Sequence, residues 1–197
     1  MSRPEAPFIV SVIVPVYRDN EALEVFLKHP AHQTFLEQTV VVLGEEDEEA
    51  IRLCEAFGVK CLKAKVPGRA VQMNTGAAQA VGDILLFLHA DTLMPAEGIN
   101  RIRGALERGA VGGGFSRRFD HPSRFLRFTC WLADWRAKVF GWLLGDQAIF
   151  VRRDVFVPMG GLPGDLPFRR FGVQSQNASI GQNRIVTPAR PLLGTPI

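Results

Sequence analysis

The sequence predicts an α/β domain built on a mostly parallel sheet flanked by helices, and three observations carry that reading. Two short, β-branched, almost wholly apolar runs, "FIVSVIVPVY" (8–17) and "TVVVLG" (39–44), have the composition of strands buried on both faces. Segments with apolar residues at three- and four-residue steps alternate with such runs, which is the spacing of βαβ units. A further apolar run, "DILLFLHADTLMP" (83–95), ends abruptly in His89, Ala90, Asp91 and Thr92. Open α/β sheets bind their ligands at the carboxyl ends of strands, so a polar cluster there is a candidate site.

The elements follow in order. Pro15 stops the first strand, and "DNEALEVFLKHP" offers Asp19 or Asn20 as a helix cap, with Leu23, Phe26 and Leu27 at helical spacing and Pro30 as the stop. The second strand leads into "EEDEEAIRLCEAFG", a helix with acids at its N-terminus, Ile51, Leu53, Cys54 and Phe57 inside, and Gly58 at its end. "VKCLKA" is a short third strand. "GRAVQMNTGAAQAVGD" is a small-residue helix closed by Gly82 that feeds the strand 83–88. "AEGINRIRGALERG" is a helix, and "AVGGGFSRRFD" is a Gly-rich strand or turn. A long helical pattern over 123–144 carries Phe125, Phe128, Leu132, Trp135, Val139 and Trp142. "GDQAIFVRRDVFVPMGGLPG" reads as turn, strand and short helix. From about Gly164 the periodicity fades into a Gln-, Asn-, Pro- and Gly-rich tail, so the expected division is a domain over 1–163 and a loosely ordered segment over 164–197.

Bulk properties narrow the function classes. The 197 residues suffice for one domain with a sizeable core, and no apolar run approaches the roughly 20 residues that span a bilayer. The first apolar run lacks a small-residue cleavage site and reads as a strand, so the expected location is cytoplasmic. Cys54, Cys61 and Cys130 form no CxxC pair and read as buried or half-buried thiols. The net charge of +3 belongs to the tail: residues 166–197 hold four arginines and no acid or lysine, which leaves −1 for residues 1–165. The main domain is therefore not expected to bind nucleic acid. The basic, aromatic pattern over 123–144 reads as core, with peripheral contact to an anionic membrane as the alternative.

Several residues could carry chemistry. Asp91 could hold a divalent cation against a diphosphate, since Mg2+ or Mn2+ typically takes one or two protein carboxylates plus substrate phosphates; it could equally cap the next turn. His89 reads as a packed histidine or a ligand. Gly68 and Arg69 precede a helix start, where backbone amides and a guanidinium can meet an anion or simply face solvent. Gln72, Asn74 and Gly76 occupy the first turns of that helix. "GDQ" (145–147) places Asp146 and Gln147 at a turn before a strand, a pattern used both by hydroxyl-rich ligands and by plain turns.

Taken together, "SVIVPVY", "GRAVQMNTGAAQAVGDILLFLHADTLMP", "GGGFSRRFD" and "GDQAIFVRRDVFVPMGGLP" resemble the family 2 type glycosyltransferases with a GT-A fold. The subgroup they resemble is that of selenium/radical-SAM-associated or arsenosugar-biosynthesis transferases, and the resemblance covers roughly residues 8–163. It implies a nucleotide-diphosphate-sugar donor, an unidentified acceptor and a divalent metal, Mg2+ or Mn2+. It implies that Asp91 belongs to a DxD-like element meeting metal and diphosphate, with His89 in the place of the first acid and Ala90 between them. It implies donor contacts from Pro15 and Tyr17, from Gly44 and Glu45 after the second strand, and from Arg69, Asn74 and Asp83. It implies that Asp146 and Gln147 lie near the sugar and acceptor.

Two departures stand out. "LGEEDEEA" replaces the D-G-x-S-x-D pattern of relatives, and "GGLPGDLPFRRFGVQSQ" lacks the acidic pair that supplies their general base. Asp165 is the acid nearest that place, and an atypical or truncated C-terminus is the expectation. Three functions compete: metal-dependent inverting glycosyl transfer, nucleotidyl transfer on a related fold, and a catalytically impaired nucleotide-sugar-binding domain.

Overall fold

A computed structural model describes residues 8–119, Trp131, residues 148–162 and residues 184–187. Strands β1 (Val10–Val16), β2 (Thr39–Leu43), β3 (Lys60–Lys63) and β4 (Ile84–Phe87) pair in parallel, and β5 (Gly112–Gly114) and β7 (Ile149–Arg152) join through antiparallel pairing, in the order β3-β2-β1-β4-β7-β5. Strands β6 (Ser116–Phe119) and β8 (Arg184–Thr187) form a separate parallel pair. The mostly parallel α/β sheet expected from the sequence is thus present, closed on one side by antiparallel strands.

All seven residues of β1, all five of β2 and all four of β4 are buried, as their unbroken apolar runs require of strands covered on both faces. Helix α1 (Asn20–Lys28) is capped by Asp19, whose carboxylate accepts from the Ala22 amide at 3.4 Å, and it buries Leu23, Phe26 and Leu27. Helix α2 (Glu48–Ala56) is capped by Asp47, which accepts from the Glu49 and Ala50 amides at 3.0 and 3.1 Å; these bonds hold the Asp47 carboxyl below its usual range. Gly58 leaves α2 at a φ of +64°, the left-handed turn expected of a glycine stop. Helix α4 (Gly98–Glu107) buries Ile102, Ala105 and Leu106, and a short helix α5 (Arg153–Phe156) follows β7.

One element was not visible in the sequence. After Pro30 the chain does not pass into a loop but forms a 3-10 helix over Pro30–Gln38, which buries His32, Phe35 and Leu36 against the end of α1. Of the tail, Arg184–Thr187 is described, and it is a strand where the sequence shows only fading periodicity. The expected helix over 123–144 falls outside the described residues except for Trp131, which is helical and exposed. Among the described residues no helix is long and apolar enough to cross a membrane.

Helix α3 (Arg69–Gln79) packs its Gln72, Met73, Gly76 and Ala77 face onto β1 and β2. Gly76 lets the backbones approach: a Cβ there would stand 2.5 Å from Ile13 Cγ2 and 3.0 Å from Val42 Cγ2. Alanine gains roughly 1 kcal/mol over glycine in helix propensity, but overpacking against stiff β-branched side chains costs about 1–3 kcal/mol. Gly76→Ala is therefore expected to lower stability by up to about 2 kcal/mol in urea unfolding; a stabilised variant would show that α3 has room to move off the sheet.

Candidate functional site

A cleft of about 600 Å³ opens at the carboxyl ends of β1 and β4 and the N-terminus of α3. Its position follows from one side chain. Gln72 is 3% exposed and donates both amide hydrogens of Nε2, to Val16 O at 2.8 Å and to Val42 O at 2.8 Å. These carbonyls belong to the last residue of β1 and the penultimate residue of β2, so a single planar amide bonds to two strands and fixes the first turn of α3 over the sheet edge. Gly68 precedes that turn with φ +152°, and no side chain caps it. The first-turn amides of α3 are thus left for solvent or a ligand, at the positive end of the helix dipole. Arg69 is exposed at the cleft wall and has no ion-pair partner among the described residues.

The opposite wall comes from β4. Leu88 N donates to Ile13 O at 3.0 Å, which continues the sheet pairing to the strand tip. Thr92 N then donates to His89 O at 3.0 Å, closing a tight turn around Ala90 and Asp91. The hydroxyl of Thr92, itself buried, donates to Asp91 Oδ1 at 3.2 Å. Asp91 and His89 are half-buried and both line the cleft, as does Asp19. Tyr17, 48% exposed as a residue, lines the third side. Gly44 lies beneath it, where a Cβ would approach the Tyr17 ring to 2.7 Å.

Of the residues singled out in the sequence, the cleft brings together Pro15, Tyr17, Arg69, His89, Ala90 and Asp91. Gly44 supports it from below. Glu45 does not line it; its carboxylate receives Arg18 Nε at 2.5 Å and Nη2 at 3.1 Å, which holds its carboxyl below the usual range. Arg18 makes this pair from a left-handed backbone conformation (φ +51°), with its guanidinium 5.2 Å from the Tyr17 ring centre.

Two others of the residues singled out lie outside the cleft lining. Asn74 Nδ2 donates to Leu162 O at 2.8 Å and its Oδ1 accepts from Leu162 N at 2.8 Å, so its amide clamps the segment after α5 to α3. Asp83 is at the wrong end of β4. Its Oδ2 accepts from Ile9 N at 3.0 Å and its carbonyl from Arg153 N at 2.8 Å, and the length of β4, about 13 Å at strand rise, separates it from His89. Asp146, Gln147 and Asp165 lie outside the described residues.

His32 was missed in the sequence. Fully buried, it donates from Nδ1 to Phe26 O at 3.0 Å, and its Nε2 accepts from Met94 N at 3.0 Å. Only a neutral ring can do both. Burial pushes its pKa down to about 4, the hydrogen bond to Phe26 opposing and the nearby His29 adding slightly. No local sequence signal distinguishes it from the neighbouring His29 in "KHPAHQTF".

A divalent cation is implied by the resemblance. Among the described residues no three His, Cys, Asp or Glu side chains gather into a closed metal cage. The half-buried carboxylate of Asp91 at the mouth of a cleft, with Asp19 also in the lining and unpaired helix amides and a guanidinium across from it, nevertheless suits a cation that takes most of its ligands from phosphate and water. The residues present therefore fit the group.

Sheet order, crossovers and the cleft at the strand ends define an α/β nucleotide-diphospho-sugar transferase fold of the GT-A type. The sequence profile of Glycosyl transferase family 2 matches residues 11–154, and the chain belongs to that family. The mannosyltransferase PcManGT from Pyrobaculum calidifontis, solved with GDP-Man and Mn2+, matches with a TM-score of 0.65 at 19% identity, over 82% of this chain and 49% of that one. S. aureus TarS 1-349 matches with a TM-score of 0.61 at 16% identity, over 80% and 51%. Glucosyl-3-phosphoglycerate synthase from Mycobacterium tuberculosis, solved with Mn2+ and UDP-glucose, matches with a TM-score of 0.55 at 16% identity, over 76% and 57%. The chain thus spans between about half and three fifths of these structures. No curated protein is a significant match.

His32 gives a pH signature. Its pKa is about 4 folded and 6.5 in the open chain, so the unfolded state binds the extra proton between those values. Its stabilisation is full above pH 6.5 and is lost as pH falls toward 4, at 1.36 kcal/mol per unit, or about 3 kcal/mol in all. Urea-unfolding free energies from pH 7 to 4 should fall more steeply for the natural protein than for His32→Phe; parallel curves would show that the ring is not held neutral.

Proposed function

We propose that the protein transfers a glycosyl group from a nucleotide-diphosphate sugar to an acceptor hydroxyl with inversion, using a divalent cation. The observation that carries this is the convergence, on one cleft, of the Asp91 carboxylate, the uncapped N-terminus of α3 with Arg69, and the exposed Tyr17. Family membership and solved relatives holding GDP-Man or UDP-glucose with Mn2+ support the same reading.

In this proposal the α3 amides and Arg69 bind and orient the diphosphate. Tyr17 offers a flat face to the base. Asp91, with Thr92 Oγ1 fixing one of its oxygens, is the carboxylate that would hold Mg2+ or Mn2+, and His89 stands beside it. The cation, when bound, neutralises charge on the departing nucleotide diphosphate. The acceptor hydroxyl forms its bond to the anomeric carbon as the sugar–phosphate bond breaks, and a carboxylate must take the hydroxyl proton. Asp165 is proposed for that role and Asp146 and Gln147 for contacts with the sugar. Asn74 clamps Leu162, three residues before Asp165, to the helix that builds the cleft.

The missing acidic pair after Gly160–Gly161 favours a second reading, donor binding with little turnover. A thermal-shift screen of UDP- and GDP-sugars with Mn2+, followed by product analysis, separates the readings. Glycosyl transfer releases a nucleoside diphosphate, nucleotidyl transfer releases pyrophosphate, and an impaired domain binds without release of either. Asp91→Ala should abolish the Mn2+-dependent part of the shift and lower turnover at least about a hundredfold if the carboxylate serves charge stabilisation in the transition state. An undiminished shift in that variant removes Asp91 from the site.

A further inference from the structure

We propose that His32 is a positioning residue for the cation-binding turn, acting through Met94 at a distance from any ligand. The segment that carries Asp91 leaves the sheet at Leu88, whose amide bonds to Ile13 O at 3.0 Å, and closes on itself at Thr92, whose amide bonds to His89 O at 3.0 Å. Downstream, Leu93 takes part in a β-bridge, and the Met94 amide beside it is received by His32 Nε2 at 3.0 Å. The donor is backbone, so it cannot rotate away. The acceptor is fixed by its other nitrogen, which donates to Phe26 O at 3.0 Å, and by rings on both sides: Phe26 at 4.3 Å and Phe35 at 5.1 Å between centres.

His32 and Met94 are both buried, at 0% and 1% exposure, and a Cβ on Gly98 would meet Met94 Cε at 2.5 Å, so the side chain of Met94 is seated under the start of α4. The turn bearing Asp91 is thus held between a sheet bond at Leu88 and two downstream backbone attachments, the bridge at Leu93 and the core bond from Met94 to His32. Nine residues of 3-10 helix, Pro30–Gln38, exist in the fold where a plain loop would connect α1 to β2, and they present this imidazole. A group bonded directly to a metal ligand commonly changes metal affinity 10–100-fold when removed; His32 acts through the backbone three residues from Asp91, so the lower end of that range is expected. That His32 serves cation binding rests on the donor-site reading above; that it holds the turn does not.

The two ring nitrogens allow a test that packing alone would not pass. Glutamine carries its amide oxygen out to the Nε2 position and can accept from Met94 N; asparagine ends at the Nδ1 position and retains only the bond to Phe26 O. Natural protein, His32→Gln, His32→Asn and His32→Phe are compared by hydrogen exchange of peptides covering 88–94 and by electron paramagnetic resonance titration of Mn2+ in the presence of UDP or GDP. Thermal unfolding confirms that each variant is folded, and His32→Phe, which keeps ring volume and loses both bonds, replaces His32→Asn if the latter does not fold.

The expected result is faster exchange over 88–94 and about tenfold weaker Mn2+ binding in His32→Asn and His32→Phe, with His32→Gln near the natural protein in both. Equal behaviour of His32→Gln and His32→Asn overturns the proposal, as does a change in exchange without loss of affinity or a loss of affinity with unchanged exchange. If the natural protein binds no Mn2+ with either nucleotide, the donor-site reading fails, the proposed service to the cation falls with it, and the exchange data alone decide whether His32 holds the turn.

Discussion

The structure depends on the amide of Gln72. Near the ends of β1 and β2 the carbonyls of Val16 and Val42 point toward α3; Val16 O also accepts from the Gly44 amide at 2.9 Å. Gln72 answers both with one rigid group, at 2.8 Å each, from inside the first turn of α3. One helical turn later Gly76 lies against Ile13 and Val42, so positions i and i+4 of one face fix the helix at two points, one polar and one by contact. A helix held this way can neither slide along the sheet nor rotate, and its uncapped N-terminus stays beside the tip of β4. An unpaired buried amide or carbonyl costs about 1–3 kcal/mol, which is why a polar residue in a packed interface stabilises here.

That placement sets the electrostatics of the cleft. One wall offers the partial positive charge of helix amides and the full charge of Arg69; the other offers the negative charge of Asp91. A diphosphate bridged to a cation matches both walls at once, whereas a neutral ligand matches neither. Charges outside the lining pair with one another: Arg18 with Glu45, and Lys63 with Glu46 at 2.7 Å. These exposed pairs contribute little to stability and lie outside the cleft lining, whose charged side chains are Arg69, Asp91 and the α1 cap Asp19. Coupling between the fold and the site then runs through backbone anchors, through Gln72 on one wall and the Leu88, Thr92 and Met94 amides on the other.

Much of the architecture was legible in the sequence because burial on both faces writes itself as unbroken apolar runs. The strands β1, β2 and β4, the capped helices α1 and α2, and the position of Asp91 at a strand tip all follow from local pattern. What was not legible depended on distant partners. Asn74 and Asp83 belong to the same motif as Arg69 and Asp91, and the resemblance placed all four near the donor. In three dimensions Asn74 clamps Leu162, 88 residues away, and Asp83 holds Ile9, 74 residues away. A motif is a stretch of chain, and a stretch that forms a helix and a strand has two ends; only one end of β4 faces the cleft. The 3-10 helix was hidden because its apolar positions follow no sustained helical period, and His32 because its role is defined by a bond to Met94, 62 residues on.

The account's central claim is that the cleft between α3 and the tip of β4 grips a cation bridged to two phosphates. The most direct measurement is a crystal structure of the protein with UDP or GDP and Mn2+. It should show an Asp91 oxygen in direct coordination with the ion and the diphosphate against the amides of Gly68, Arg69 and Ala70. An ion bound elsewhere, or a nucleotide lying away from the N-terminus of α3, would contradict it.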